Sequence, residues 1–178
     1  MIFLLYWIFS SFFVKRSVVK RSPGGILWRV AVAVLVIAFI RFDKPGAVSF
    51  FMPVLNNSLF SFQILGTVLT VLGLLIAIWA RIYLGRNWSG YVTYKKDHEL
   101  VTTGPYRFIR HPIYTGMILM SAGAVLYYGI PLLLIICTIL AGVFIWRTKK
   151  EEEIMTKLFG KKYLDYMKKT KALIPFVV

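Results

Sequence analysis

Two short polar clusters in an otherwise apolar chain hold the residues best able to do chemistry. The first is Arg110-His111-Pro112-Ile113-Tyr114, and the second is Arg147-Thr148-Lys149-Lys150-Glu151-Glu152-Glu153. Proline pushes the residue before it out of helical geometry and itself suits a helix's first position. A helix should therefore start at Pro112, with its free N–H groups and positive dipole end beside Arg110 and His111. Such an end is a ready site for an anion, a carboxylate for example. In the second cluster Arg147 and Glu151 are four residues apart and share a helix face. Three carboxylates in the first turn of a tail helix would also complement its dipole without any ligand.

Other chemistries find little support. His98 and His111 are the two histidines, and no cysteine or carboxylate pattern completes a metal-ligand set, so no metal is expected. Phosphate-cradling glycine loops, a dinucleotide fingerprint and a nucleophile elbow are all missing from the sequence. Cys137 stands alone in an apolar run, which excludes an intrachain disulfide and fits a buried packing residue. Gly116 and Gly123 lie seven apart on one helix face, where either the fifth apolar segment or a flat ligand could approach closely. What remains is a site that binds a cofactor and orients an acceptor.

The elements that must position these residues are apolar helices. The 178 residues are 58% hydrophobic, with a mean hydropathy of +0.72, more than a soluble domain of this size can bury. The net charge of +15 could suggest nucleic acid, but the basic residues separate apolar runs, and no groove-reading motif accompanies them. They fit membrane lipids and the charge bias of membrane loops. Five apolar segments are read: Met1–Val14, Ile26–Ile40, Ser58–Leu84, Ile113–Tyr128 and Pro131–Trp146. Met1–Val14 lacks a positive leader and a cleavage site, so it reads as a short anchor and not a signal peptide. The third segment is long enough to span with tilt. The last two are joined by Gly129-Ile130-Pro131, which forces an antiparallel hairpin.

Loop charge gives the orientation. Lys15–Arg29, Arg81–Arg110 and the tail after Trp146 are basic, whereas Arg41–Asn57 is nearly neutral. The alternation suits five crossings, N-terminus outside and C-terminus in the cytoplasm. From Thr148 to Lys169, apolar residues recur at helical spacing among lysines, the pattern of a helix lying in the headgroup layer. The fold expected is an all-α, multi-pass transmembrane bundle in one domain, 1–178. Residues 1–84 form three N-terminal helices, and 85–178 a cytoplasmic loop, the hairpin and an interfacial C-terminal helix.

The runs His98–Tyr114 and Arg147–Gly160, with Tyr163-x-x-Tyr166 and Ile174-Pro175, resemble the isoprenylcysteine carboxyl methyltransferase family, in the form of a short prokaryotic member. Phospholipid N-methyltransferases share the layout. The likeness covers about the last 80 residues well, and rests on R-H-P-x-Y, a short hairpin and R-x-x-x-E-E followed by F-G-x-x-Y-x-x-Y. It implies S-adenosylmethionine as cofactor, held by His98, Glu99, Leu100 and Val101, largely through backbone. Further contacts are implied from Tyr106, His111, Pro112, Ile113, Tyr114, Glu151 and Glu152. Arg147 and Arg110 are implied as the catalytic cations that orient the acceptor, a lipophilic small molecule or lipidated substrate. The location implied is a prokaryotic cytoplasmic membrane, with the site facing the cytoplasm.

Alternatives stay open from sequence. A carboxylate acceptor is favoured over a thiol, phenol or amine. A sterol-type reductase using NADPH has a similar R-H-x-x-Y layout, though Pro112 and Glu151-Glu152 favour the methyltransferase. A basic membrane scaffold binding anionic lipid explains the charge, but not the meeting of Arg110, His111 and Arg147 with Glu151.

Overall fold

The computed structural model describes residues 59–88, 99–128 and 131–174. The expectations for Met1–Val14, Ile26–Ile40, the loops between them and the third segment, His98, the Gly129-Ile130 link and Pro175 lie outside the described residues. Four α-helices are described: α1 (Leu59–Leu84), α2 (Pro112–Tyr128), α3 (Pro131–Phe159) and α4 (Lys161–Lys169). Short 3-10 turns at Gly85–Asn87 and Gly104–Arg107 shape the intervening loop. Among the described residues the only β-type pairing is one isolated parallel bridge, Ile109 with Lys171.

α1 is long and apolar enough to cross a membrane, and only 17% of its most apolar window is buried. A soluble core helix would be mostly buried. Here Ile64, Leu65, Val68, Leu72, Leu75 and Ile82 stay exposed along its outer face. Exposing so much apolar area to water costs roughly 25 cal/mol per Å². The arrangement is stable only where lipid or further protein replaces water.

The inner face of α1 packs on α2 at glycine contacts. A Cβ on Gly73 would sit 2.5 Å from the Gly116 carbonyl oxygen, and one on Gly66 2.6 Å from that of Gly123. Two seven-residue glycine steps thus mesh, bringing the backbones together where hydrophobic driving force between helices is weak. The expectation that Gly116 and Gly123 face the fifth segment or a ligand is corrected. They face α1, with Ala77 filling the remaining space at Gly116.

α2 begins at Pro112, as the X-Pro rule requires. The second correction concerns α3, which does not end near Trp146 but runs 29 residues to Phe159. No glycine or proline interrupts 147–159, and a change from apolar to charged side chains does not break backbone hydrogen bonding. At ~1.5 Å per residue the helix is about 44 Å long, so its charged end projects some 20 Å beyond the apolar part. The expected single tail helix is therefore two pieces, the end of α3 and the nine-residue α4. They join at Gly160, whose φ of 54° favours glycine.

Candidate functional site

Five elements converge where α2 starts: the inner end of α1, the loop before α2, the first turn of α2, the projecting part of α3, and the segment after α4. Pro112 is fully buried. Ala80, Tyr106 and Ile113 form a small core beneath it, against which Leu84, Trp88, Val101, Tyr114 and Met117 pack. This core docks the expected cofactor loop on the same floor as the helix start. Pro105 and Tyr106 are buried in the 3-10 turn that makes the approach.

The two sequence clusters meet as a compact ionic network. Tyr114 Oη donates to Glu151 Oε1 at 2.5 Å, and Arg147 Nη2 reaches the same oxygen at 3.4 Å. His111 Nδ1 lies 3.6 Å from Glu151 Oε2, and its Nε2 lies 3.3 Å from Glu152 Oε1. Arg110 Nε donates to Glu152 Oε1 at 2.6 Å. Aromatic stacking continues the cluster: His111 lies parallel to Tyr114 at 5.7 Å, and Tyr114 parallel to Phe144 at 5.0 Å. The Arg147 guanidinium sits 5.8 Å from the Tyr114 ring centre.

The carboxylates thus stand in mid-helix on α3, and the expected first-turn dipole role is replaced by direct pairing with cations from the α2 side. The anion expected beside Arg110 and His111 is supplied within the chain by Glu151 and Glu152. Burial works against charge in this network, but the partners outweigh it. Glu151 is held below the ordinary carboxylate range by His111, Tyr114 and Arg147 despite burial. Glu152 is likewise held down by His111 and Arg110. Burial disfavours the His111 imidazolium, yet hydrogen bonding and attraction to both glutamates raise its pKa above the usual histidine value.

A strap formed by residues 170–174 closes one side, and sequence reasoning missed it. Arg110 N–H donates to Lys171 O at 2.8 Å and His111 N–H to Ala172 O at 2.9 Å. Thr115 Oγ1 donates to Leu173 O at 2.6 Å. Arg110 Nη1 also bonds the Met167 and Thr170 carbonyls at the end of α4. Tyr166 Oη donates to Tyr106 O at 2.5 Å, tying α4 to the loop before α2. Tyr163-x-x-Tyr166 was a sequence signal for this closure, since Tyr163 is buried and rests edge-on against Tyr166.

Of the expected site residues, Arg110, His111, Tyr114, Arg147, Glu151 and Glu152 meet directly. Pro112, Ile113, Tyr106 and Val101 form the floor, with Leu100 half-buried next to Val101 and Glu99 exposed. Arg110 is spent on Glu152 and the carbonyls at the end of α4, whereas Arg147 shares Glu151 Oε1 with Tyr114. Sequence reasoning also passed over Arg81, only 2% exposed at the inner end of α1. It donates to Gly85 O at 2.7 Å and lies 4.7 Å from the Trp88 ring centre. A lone arginine ending a long apolar run is the signal that could have found it.

The family of phospholipid methyltransferases matches residues 62–162, which include both clusters. Protein-S-isoprenylcysteine O-methyltransferase B of Arabidopsis thaliana is 29% identical over 119 residues, 63% of this chain and 58% of the relative. The Homo sapiens protein-S-isoprenylcysteine O-methyltransferase is 32% identical over 125 residues, 62% of this chain and 43% of the relative. The chain thus matches well under two thirds of these relatives' length. Among solved structures, a eukaryotic intramembrane Ras methyltransferase, isoprenylcysteine carboxyl methyltransferase, superposes with a TM-score of 0.63 at 30% identity. The superposition covers 90% of this chain and 55% of that one.

Proposed function

Because the chain belongs to the phospholipid methyltransferase family, we propose that it transfers a methyl group from S-adenosylmethionine to a lipophilic acceptor, a carboxylate of the isoprenylcysteine type. The observation that carries this reading is the buried meeting of Arg147, Glu151, Tyr114 and His111 at the start of α2. The likeness to named isoprenylcysteine O-methyltransferases supports it.

The residues present fit the cofactor. Glu151 is a carboxylate beside stacked aromatic rings, a setting suited to the cationic and flat parts of S-adenosylmethionine. Its side chain keeps 21% exposure, so the network is reachable. His111, Tyr114 and Glu151 would hold the cofactor with the loop. When bound, it supplies a methyl group activated by a positively charged sulfur.

The chain's own residues then have positional tasks. Attack by a carboxylate needs neither a metal nor a base, so the protein contributes alignment and exclusion of water. Arg147 carries a planar guanidinium able to take a carboxylate on two parallel bonds. Its pairing with Glu151 is long, at 3.4 Å. A moderate hold is appropriate, because an overly tight ground-state ion pair would slow transfer. Glu152 fixes His111 and Arg110, and the strap holds the first turn of α2 against them.

α1 crosses the membrane in this reading, and the basic loops put the site on the cytoplasmic side. The acceptor's tail lies among the helices, while the cofactor arrives from water. Calorimetric titration of detergent-solubilised protein tests the cofactor. S-adenosylhomocysteine should bind and NADPH should not, and the reverse would assign a reductase. Turnover of an N-acetylated S-prenylcysteine against a phosphatidylethanolamine then separates a carboxylate acceptor from an amine.

A further inference from the structure

A second concave site lies outside the ionic network, between the Arg107–Phe108 bend and the end of α4. It encloses about 240 Å³ and is lined by Arg107, Phe108, Met167 and the run Lys168–Lys171. That volume is below the roughly 300–1,000 Å³ of sites for whole small-molecule ligands. Four of its lining residues are cationic and none is acidic. Asp165 approaches from one side and pairs with Lys168 at 3.2 Å.

The end of a helix normally repels anions through its unpaired carbonyls. Here three carbonyls at that end are occupied. Arg110 Nη1 bonds the Met167 and Thr170 oxygens, and Thr170 Oγ1 bonds the Tyr166 oxygen. The repulsion from the helix end is thereby reduced, and Arg107, Lys169 and Lys171 set the field of the pocket. The Arg107 guanidinium is held 4.9 Å from the Phe108 ring centre.

Position identifies the occupant. Lys171 is bridged to Ile109, three residues before α2 begins, within about 10 Å of it at ~3.3 Å per residue. With α1 spanning and the apolar helix α2 packed along it, a start of α2 at the edge of a hydrocarbon core ~30 Å thick would put the pocket at headgroup level. Phe108, which lines it, is more than half exposed and offers an apolar contact to a lipid. We propose that this pocket binds the phosphate of an anionic membrane phospholipid, clamped by Arg107, Lys169 and Lys171 with Phe108 against the glycerol end. A bound headgroup joins the loop before α2 to the strap, and so fastens the closure of the neighbouring site. The proposal requires a membrane protein, but not any particular reaction.

The test titrates short-chain phosphatidylglycerol into the full chain in an uncharged detergent, followed by calorimetry. Arg107→Gln, Lys169→Gln and Lys171→Gln combined should weaken binding about tenfold or more. Lys157→Gln, Lys161→Gln and Lys162→Gln remove the same charge elsewhere and should weaken it less than about threefold, as for a diffuse, screened field. Lys171→Gln alone should cost about threefold, and serves if the triple variant does not elute as a single species. Equal losses in both triple variants, or no weakening by Lys171→Gln, would overturn the proposal. So would inorganic phosphate or glycerol phosphate binding as tightly as the lipid, which would make the ligand a soluble phosphate. S-adenosylhomocysteine binding, measured separately, reports on the methyltransferase reading, so either can fail alone.

Discussion

Glu151→Gln is the sharpest perturbation of the proposed cofactor site. In the folded protein the Glu151 carboxylate gathers Tyr114 Oη at 2.5 Å, Arg147 Nη2 at 3.4 Å and His111 Nδ1 at 3.6 Å. Glutamine preserves the size and one acceptor oxygen but removes the charge. A hydrogen bond to a charged group contributes roughly 1.5–3 kcal/mol net, and ~1.4 kcal/mol is a factor of ten in binding. Loss of the charge should therefore raise the dissociation constant of S-adenosylhomocysteine about 10- to 150-fold, read by calorimetry on detergent-solubilised protein. The fold should survive, because Glu152 still holds His111 at 3.3 Å and Arg110 at 2.6 Å. The stability loss should thus stay below the roughly 3–5 kcal/mol of a fully broken buried pair. Glu151→Ala leaves three donors without their acceptor and should abolish binding. If Glu151→Gln melted normally and bound S-adenosylhomocysteine within twofold of the parent, Glu151 would be a strut between helices and not a ligand.

Other expectations follow from the same geometry. Arg147→Ala should leave S-adenosylhomocysteine affinity within about threefold while lowering turnover of an N-acetylated S-prenylcysteine roughly 100-fold, the scale of a misplaced reactant; unchanged turnover would remove its assigned role. Gly73→Ala drives a methyl against the Gly116 carbonyl and should destabilise by about 1–3 kcal/mol. Gly142→Ala, with nothing within 4 Å of the new Cβ, should instead be neutral or stabilising by up to about 1 kcal/mol, and thermal melts of the two distinguish meshed from open helix faces. The pH dependence also has a definite sign. His111 is raised above 6.5, so its contribution is full below 6.5 and fades as pH climbs through the raised value. Glu151 and Glu152 are lowered from 4.5, so theirs is full above 4.5 and fades as pH falls through the lowered values. The melting difference between the parent and His111→Gln should peak between 4.5 and 6.5 and shrink in alkali; a difference that grew above 6.5 would contradict the raised imidazole.

How much of this was readable in the sequence depends on how local the cause is. The start of α2 follows from one proline acting on its neighbour, and Arg147 with Glu151 from a four-residue helix step. Both needed only the chain's immediate geometry. The end of α3 was misplaced because polarity changes at Arg147, whereas the backbone responds to glycine at 160. The glycines at 116 and 123 announced a close approach but not its partner. That partner, α1, is fixed by matching glycines at 66 and 73, a correspondence between distant segments. The strap was invisible for a related reason. Its hydrogen bonds run from backbone to backbone and from Thr115 to Leu173 O, and side-chain identity scarcely encodes them.

The corrected end of α3 also changes why the glutamates are where they are. At the first turn of a tail helix, carboxylates could be explained by the dipole alone. Twenty residues into a 29-residue helix that explanation is gone, and the N–H groups around them are already bonded within the helix. Two adjacent acids there repel one another and lose hydration, so they persist only where cations meet them. Arg110 and His111 meet Glu152, while His111 and Arg147 meet Glu151. The division is unequal: Glu152 pairs with Arg110, which is itself tied to the end of α4, whereas Glu151 takes the 2.5 Å bond from Tyr114 and longer contacts with the cations His111 and Arg147, and keeps 21% of its side chain exposed. Glu152 therefore ties α3 to the loop before α2 and, through Arg110, to the end of α4, while Glu151 is the acid whose cation contacts are long and whose side chain stays partly exposed. On this basis substitution of Glu152 should lower melting temperature more than that of Glu151, and substitution of Glu151 should lower ligand affinity more than that of Glu152. Equal effects of the two on both readouts would mean the pair acts as a single structural unit.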